Sequence, residues 1–225
     1  RLSPFASQLS YFFQFAKHRK VTRAVHDHDA KICLQILHAG RYAYHPFAVA
    51  PSAIKSPISP YKPKALKRRQ IKKLIRAYAK TAKLAKQAGY DGVDLLGSEG
   101  YLINQFVCAN TNQRQDEWGG SFENRIKFSL QVIREVRRAA GKDFIVIYRL
   151  SMLDLHKDGS TWNEIVHHAR EVEKAGATII NSVIGWHEVR IHTIDDTVPE
   201  AGFVCLTNRL KQVVSITLIT SNRIN

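Results

Sequence analysis

Short apolar runs alternate along the chain with longer segments in which apolar residues recur every three to four positions. Nearly continuous apolar runs are typical of parallel strands covered on both faces, whereas the longer spacing indicates amphipathic helices. A glycine follows each helical segment, which is a common helix end. The predicted strands are Ile32–Leu37, Gly92–Leu96, Phe144–Leu150, Thr178–Val183 and Ile216–Thr220. The predicted helices are 66–88, 122–140 and a third that follows a capping box of Thr161 and Glu164 and ends before Gly176.

Repeated strand–helix units predict an α/β protein with a parallel sheet, either doubly wound or closed into a barrel. No GxGxxG or GxxxxGK[ST] motif follows any strand, so the usual nucleotide-binding form of the open sheet is unsupported. Polar, glycine-containing segments instead follow several strands: HAGRY, GSEGYLINQF and GWHEVR. Because a TIM barrel builds its active site from such loops, the pattern favours a (β/α)8 barrel, of which five strands are visible.

The composition fits a single globular core. The chain has 225 residues and is 44% hydrophobic, and no apolar run reaches the roughly 18–20 residues of a membrane span. The three cysteines are far apart, so neither a disulfide framework nor a metal pair is predicted. Since no signal peptide precedes the first strand, we expect a cytoplasmic protein without a membrane partner.

The net charge of +15 is unevenly distributed. Eleven Lys or Arg residues and no acidic residue lie between Tyr61 and Tyr90. A surface for nucleic acid or anionic lipid is one interpretation, and a solvated outer helix face is the other. The segment has no interleaved aromatic platform, which favours the solvated face. A nucleic-acid partner is therefore not expected.

Polar side chains interrupt three of the predicted strands. Gln35, Arg149 and Asn181 each stand in or at the end of an apolar run, where an unpartnered polar group costs several kcal/mol. An internally satisfied polar residue is the alternative, although the charge of Arg149 requires an anion or an electron-rich ring. An amide and a guanidinium at one barrel end would suit the polar edge of a planar heterocycle.

Two loops that follow strands carry groups capable of proton chemistry. A phenol at Tyr101 and an imidazole at His187 could protonate a substrate carbanion and hold its carbonyl. Their spacing by itself is a weak signal, because the chain has eight Tyr and ten His. Several other titratable residues are predicted to have no part in this chemistry. His26, His28, His167 and His168 are placed on the surface, and Asp91 and Asp94 are predicted to serve turns.

The stretch GYDGVDLLGSEGYLINQFVCANTNQRQDEWGGSFENR, residues 89–125, resembles the signature of the old yellow enzyme family. KICLQILHAGRYAY looks like the third barrel strand of that family, and AGATIINSVIGWHEVRI like its sixth. GSEGYLIN, YRLSMLDL and GWHE are closer to the bacterial 2,4-dienoyl-CoA reductase branch. The resemblance implies an incomplete TIM barrel with about strands 3 to 7. Residues 17–225 would form a partial FMN-binding domain, and residues 1–16 are unmatched.

The resemblance also implies roles for four residues. Gln35 would bind the pyrimidine side of FMN, and Arg149 the N1–O2 edge of the ring. Tyr101 would protonate the substrate carbon, and His187 would orient the thioester carbonyl. In that branch electrons pass from NADPH through FAD and a 4Fe-4S cluster to FMN, which gives a hydride to an enoyl- or 2,4-dienoyl-CoA. The FAD, cluster and NADPH sites would belong to domains outside this chain.

The chain also departs from the branch. Val183 stands where the branch has Gly, His192 replaces a loop Pro, and Cys205 replaces a bulky aromatic residue; strands 1, 2 and 8, with the phosphate-binding loop, are unmatched. Three hypotheses follow: an FMN-dependent reductase domain, an inactive remnant without flavin binding, and a basic polyanion-binding polypeptide. The signature favours the first as the ancestral function, and the departures favour the second for this chain by itself.

Overall fold

A five-stranded parallel sheet is the centre of the molecule, seen in a computed structural model that describes residues 8–156, 158–190 and 197–224. The strand order is β1-β4-β5-β6-β7, and β2 and β3 form a separate two-stranded parallel pair. The strands are β1 (Cys33–Ile36), β2 (Val49–Ala50), β3 (Lys64–Ala65), β4 (Gly92–Gly97), β5 (Ile145–Leu153), β6 (Ile179–Ile184) and β7 (Thr217–Thr220). The helices are α1 (Phe15–His26), α2 (Arg68–Gln87), α3 (Leu102–Val107), α4 (Phe122–Ala140), α5 (Trp162–Lys174) and α6 (Val204–Lys211).

All five predicted strands and all three predicted helices are observed, and their parallel order confirms the expected architecture. Helices α1, α3 and α6 were not predicted. Helix α1 buries only Thr22 among its residues, and α3 is buried at every position. Neither helix therefore carries the apolar stripe from which a helix is recognised in sequence. Helix α6 has only eight residues.

The two faces of the sheet differ in burial. Along β5, Val146, Tyr148 and Leu150 are buried, because they face the layer formed by α2, α4 and α5. The alternate residues, among them Ile147 and Arg149, are only partly buried and lie on the opposite face, called here the inner face. The register places polar residues opposite each other in two pairs on this face: Gln35 with Asp94 on β1 and β4, and Arg149 with Asn181 on β5 and β6.

The prediction that His168 lies on the surface is wrong. Its side chain is on the buried face of α5, together with Ile165, Ala169 and Val172, since these positions share one face of a helix. Its Nε2 lies 2.8 Å from Ser129 Oγ. Burial lowers the pKa of His168 to about 3, so the ring is neutral. The other three histidines are exposed as predicted: His26, His28 and His167.

The basic segment lies outside the core. All eleven Lys and Arg residues between Tyr61 and Tyr90 are exposed, which agrees with the prediction of an outer helix face. Within the described ranges, no helix combines the length and apolarity needed to cross a bilayer. His192 and the first seven residues of the segment 1–16, which the sequence analysis left without a match, lie outside the described residues.

Candidate active site

The loops after β1 and β4 are tied together by a buried amide. Gln105 of α3 donates from Nε2 to the carbonyl of Gly100 at 2.6 Å, and its Oε1 accepts from the backbone N–H of Arg41 at 3.1 Å. Leu102 N–H also donates to the carbonyl of His38 at 3.0 Å. The loops after β1 and β4 are therefore packed against each other at the carboxyl ends of their strands.

The loop after β6 joins the same unit. His187 N–H donates to the carbonyl of Glu99 at 3.4 Å, and Trp186 forms an isolated parallel bridge with Glu99. Arg41 and Glu188 form an ion pair whose side chains are 5% and 2% exposed. The three polar loops singled out in the sequence thus meet at one end of the sheet.

Tyr101 and His187 are in contact in this cluster. Their ring centroids are 5.1 Å apart with an edge-to-face angle of 75°, and Tyr42 packs edge-on against both rings. Burial raises the pKa of Tyr101 and the Glu99 carboxylate raises it further, while Arg149 opposes the shift. The phenol is therefore protonated at neutral pH and can act as a proton donor.

Gly100 allows the aromatic cluster to close. Its φ is +79°, a left-handed conformation that side chains with a Cβ adopt only at a cost. A Cβ at this position would lie 2.1 Å from Tyr42 Oη and 2.6 Å from Trp186 Cε3. Both distances are far below van der Waals contact, so the approach of Tyr42 and Trp186 requires glycine.

A chain of polar contacts lies on the inner face beside this cluster. Gln35 Nε2 donates to Asp94 Oδ2 at 2.9 Å, and Arg149 Nη2 lies 3.6 Å from Glu99 Oε2. Glu99 is thus the anion that the charge of Arg149 required. Burial raises the pKa of Asp94, while the hydrogen bond from Gln35 and the charge of Arg149 act against that rise.

Besides Arg41 Nε and Tyr42 Oη in the loop cluster, four buried polar atoms of this region have no hydrogen-bond partner among the described residues. They are Asp94 Oδ1, Arg149 Nε, Asn181 Oδ1 and His187 Nε2. Each unsatisfied buried group costs about 1–3 kcal/mol, so their concentration on the inner face and in the adjoining loop indicates a candidate ligand site. This combination of donors and acceptors fits the edge of a planar heterocycle that carries both N–H and carbonyl groups.

The sequence prediction missed two acidic residues of the site. Asp94, assigned to a turn, lies inside β4 with its side chain on the inner face, so that assignment is wrong. Asp91 does hold the strand start, because its Oδ2 accepts from Ile32 N–H at 2.9 Å. Glu99 could have been found from the need of Arg149 for an anion. Because side chains alternate along a strand, Asp94 lies on the same face of β4 as Leu96. This alternation is the feature of the sequence from which the inward position of Asp94 could have been predicted.

The fold is a partial α/β barrel, and its candidate site combines the inner face of the sheet with the loops at the carboxyl ends of the strands. The sequence profile of the NADH:flavin oxidoreductase / NADH oxidase family matches residues 13–225, and the chain belongs to this family. FMN is the cofactor of the family and NADH or NADPH its electron donor, as the resemblance predicted.

Individual relatives agree with this membership. The chain is 39% identical over 211 residues to a metal reductase of Desulforamulus reducens, covering 92% of the chain and 32% of that protein. A 2-naphthoyl-CoA reductase in complex with 2-naphthoyl-CoA superposes with a TM-score of 0.90 at 28% identity, over 95% of this chain and 35% of that one. The old yellow enzyme homologue of Zymomonas mobilis gives a TM-score of 0.83 at 26% identity, over 99% and 65%.

These matches confirm the old yellow enzyme resemblance and the partial TIM barrel. The chain spans about a third of the length of curated relatives such as the metal reductase.

Proposed function

We propose that this chain is the FMN-binding part of a reductase that adds a hydride and a proton across the C=C bond of an enoyl- or 2,4-dienoyl-CoA. The observation that carries the proposal is the contact between Tyr101 and His187, two proton-handling side chains held 5.1 Å apart at the strand ends. The similarity to a reductase that was solved with an aromatic CoA thioester supports the substrate class.

The inner face would hold the cofactor. Gln35 offers an amide that can donate and accept, and Arg149 offers a guanidinium with an unused buried Nε–H. The guanidinium would stabilise negative charge at the N1–O2 edge of the ring, and Glu99 fixes its orientation from the other side. When bound, FMN supplies the hydride.

Tyr101 and His187 would act on the substrate. The raised pKa of Tyr101 keeps its O–H available as the donor to the substrate carbon. His187, in the tautomer that carries a proton on Nε2, would donate to the thioester carbonyl, because this buried nitrogen has no partner within the described residues. Tyr42 packs against both rings and limits their rotation.

The buried contacts around Glu188 would keep this geometry rigid. Glu188 is held by Arg41, by Ser56 Oγ at 2.7 Å and by His156 Nε2 at 3.1 Å. His187 precedes Glu188 directly, so the anchored carboxylate restricts the position of the imidazole. Pre-organisation of this kind is what proton transfer to a short-lived carbanion requires.

FMN binding to the purified chain is the first test, followed by flavin fluorescence with and without Arg149→Met. The wild-type chain should bind FMN and the variant should bind it at least about tenfold more weakly, since a charge-assisted contact is lost. A wild-type chain that retains no FMN supports the alternative of an inactive remnant and contradicts the proposal.

The substrate role is tested by Tyr101→Phe in the FMN-loaded, chemically reduced protein mixed with a dienoyl-CoA. The variant should oxidise its flavin with the thioester at least about a hundredfold more slowly, because general acid catalysis contributes about 10²–10⁴-fold. Its FMN affinity and its reduction by dithionite should be unchanged. If binding and both half-reactions weaken together, Tyr101 is a packing residue.

A further inference from the structure

Asp94 is a carboxylate on the inner face that the proposed function does not use. It lies opposite Gln35 in the register of β1 and β4, and its Oδ2 accepts from Gln35 Nε2 at 2.9 Å. Gln35 is the residue proposed to hold the pyrimidine side of FMN. A direct contact therefore links an acidic group to the amide that would meet the cofactor.

The chemistry of the pair fixes the orientation of the amide. An ionised carboxylate can only accept hydrogen bonds, so it pairs with the NH2 end of Gln35 and repels the carbonyl end. With Nε2 turned towards Asp94, Gln35 Oε1 is directed away from the carboxylate. A ligand that meets this oxygen must provide a hydrogen-bond donor, which in a flavin ring is the imide N–H.

Keeping the Asp94 carboxylate ionised in a partly buried position costs desolvation free energy. This cost argues for a role of Asp94 beyond packing. Its second oxygen, Oδ1, is buried and unpaired among the described residues. The charged groups that face it are Arg149 on β5, which favours the ionised form, and Glu99 after β4, which opposes it. A neutral side chain would accept the same hydrogen bond from Gln35 at a lower desolvation cost. Only a charged acceptor, however, excludes the flipped amide.

We propose that Asp94 is a positioning residue that fixes the Gln35 amide so that Gln35 Oε1 accepts a hydrogen bond from the imide N–H of the FMN ring. The inference rests on the proposed function, because it needs FMN on the inner face. It adds a specificity rule: the site distinguishes flavins by the presence of a hydrogen on N3 of the ring.

The test compares the affinities of FMN and N3-methyl-FMN by fluorescence titration. The wild-type chain should prefer FMN by about tenfold or more, since the methyl group removes the N–H donor and places a carbon against Gln35 Oε1, which the bound ring would cover. In Asp94→Asn the new amide can also donate to Gln35 Oε1, so both orientations become possible and the preference should fall to about threefold or less. The matched control is Asp91→Asn, a carboxylate just before the same strand whose partners are Ile32 N–H, His26 and Lys31 and not Gln35; it should keep the wild-type preference.

A second measurement does not depend on FMN. In the chain labelled with 15N-glutamine, the side-chain NH2 signals of Gln35 should be displaced by Asp94→Asn and unaffected by Asp91→Asn. Unchanged Gln35 signals, or an unchanged flavin preference in Asp94→Asn, overturn the inference. If no variant binds either flavin, the proposed function fails, and the Gln35 signals alone then decide whether Asp94 orients the amide.

Discussion

Arg41 and Glu188 form a buried ion pair that joins the loop after β1 to the loop after β6, although 147 positions separate them in the sequence. Both side chains are almost fully excluded from solvent. Removing one partner of such a pair leaves an uncompensated buried charge, which costs far more than the loss of a surface pair. The stability of the loops that form the candidate site therefore depends on this contact.

We expect Glu188→Ala to lower the free energy of unfolding by about 3–5 kcal/mol, because the Arg41 guanidinium loses its buried anion. The control is Glu135→Ala, whose partner Arg138 is 77% exposed and whose loss should cost less than about 1 kcal/mol. Urea unfolding followed by circular dichroism measures both. Similar losses in the two variants would show that the Arg41–Glu188 pair contributes no more than a surface contact.

Gly100→Ala should destabilise the protein strongly. The cost combines a left-handed backbone, about 1–2 kcal/mol, with a Cβ that overlaps Tyr42 and Trp186 and adds about 1–3 kcal/mol. Gly120→Ala measures the backbone cost without the steric overlap, because Gly120 has φ +80° but an added Cβ would have nothing within 4 Å. Thermal melts should rank wild type above Gly120→Ala and Gly120→Ala above Gly100→Ala. Equal melting temperatures for the two variants would rule out the steric clash.

The buried His168 should make stability depend on pH. Its folded pKa of about 3 lies below the ordinary value of 6.5, so the unfolded chain takes up a proton that the folded chain excludes. The contribution is complete above about pH 6.5 and is lost as pH falls towards 3, by up to about 1.4 kcal/mol per pH unit. His168→Leu should reduce the slope between pH 6 and 4 without abolishing it, because burial also lowers the pKa of His38 to about 3. Ser129 Oγ still donates to the carbonyl of Ile126 at 2.7 Å in the variant. The control is His167→Gln, which replaces the exposed neighbouring histidine. It should keep the wild-type dependence of unfolding free energy on pH. A wild-type slope in His168→Leu would show that another group titrates.

Val183→Gly should strengthen FMN binding. Val183 is fully buried, and alternation along β6 places it on the same face as Asn181, where a β-branched side chain would crowd a flat ring. Relief of overpacking is worth about 1–3 kcal/mol, so affinity should rise by roughly tenfold. Val146→Gly, equally buried but facing the helices, should destabilise the fold without any gain in FMN affinity. Equal FMN affinity in wild type and Val183→Gly would mean that Val183 does not touch the ring.

The sequence predicted the elements that show a regular apolar pattern and missed those that do not. Strands β4 to β6 and helix α4 are covered by a core whose spacing is readable from hydrophobicity alone. Helix α3, buried on all sides, has no such pattern. The polar groups Gln35 and Arg149 could be proposed as site residues because they interrupt apolar strands. Glu99 and Asp94 were missed because their importance depends on partners that only the fold brings near.

The register of the inner face sets a strict limit on how this barrel can change. Gln35 and Asp94 stand level with each other, whereas Arg149 and Asn181 stand level two residues, or about 7 Å, further along their strands. The two polar pairs are therefore staggered along neighbouring strands. Inserting or deleting one residue in β5 would turn Arg149 into the helix-facing core and Tyr148 or Leu150 towards the ligand. In β5 the register already shifts between Ser151 and Leu153, beyond Arg149. A change of length is therefore compatible with the polar face in the loops or beyond Arg149, but not before it.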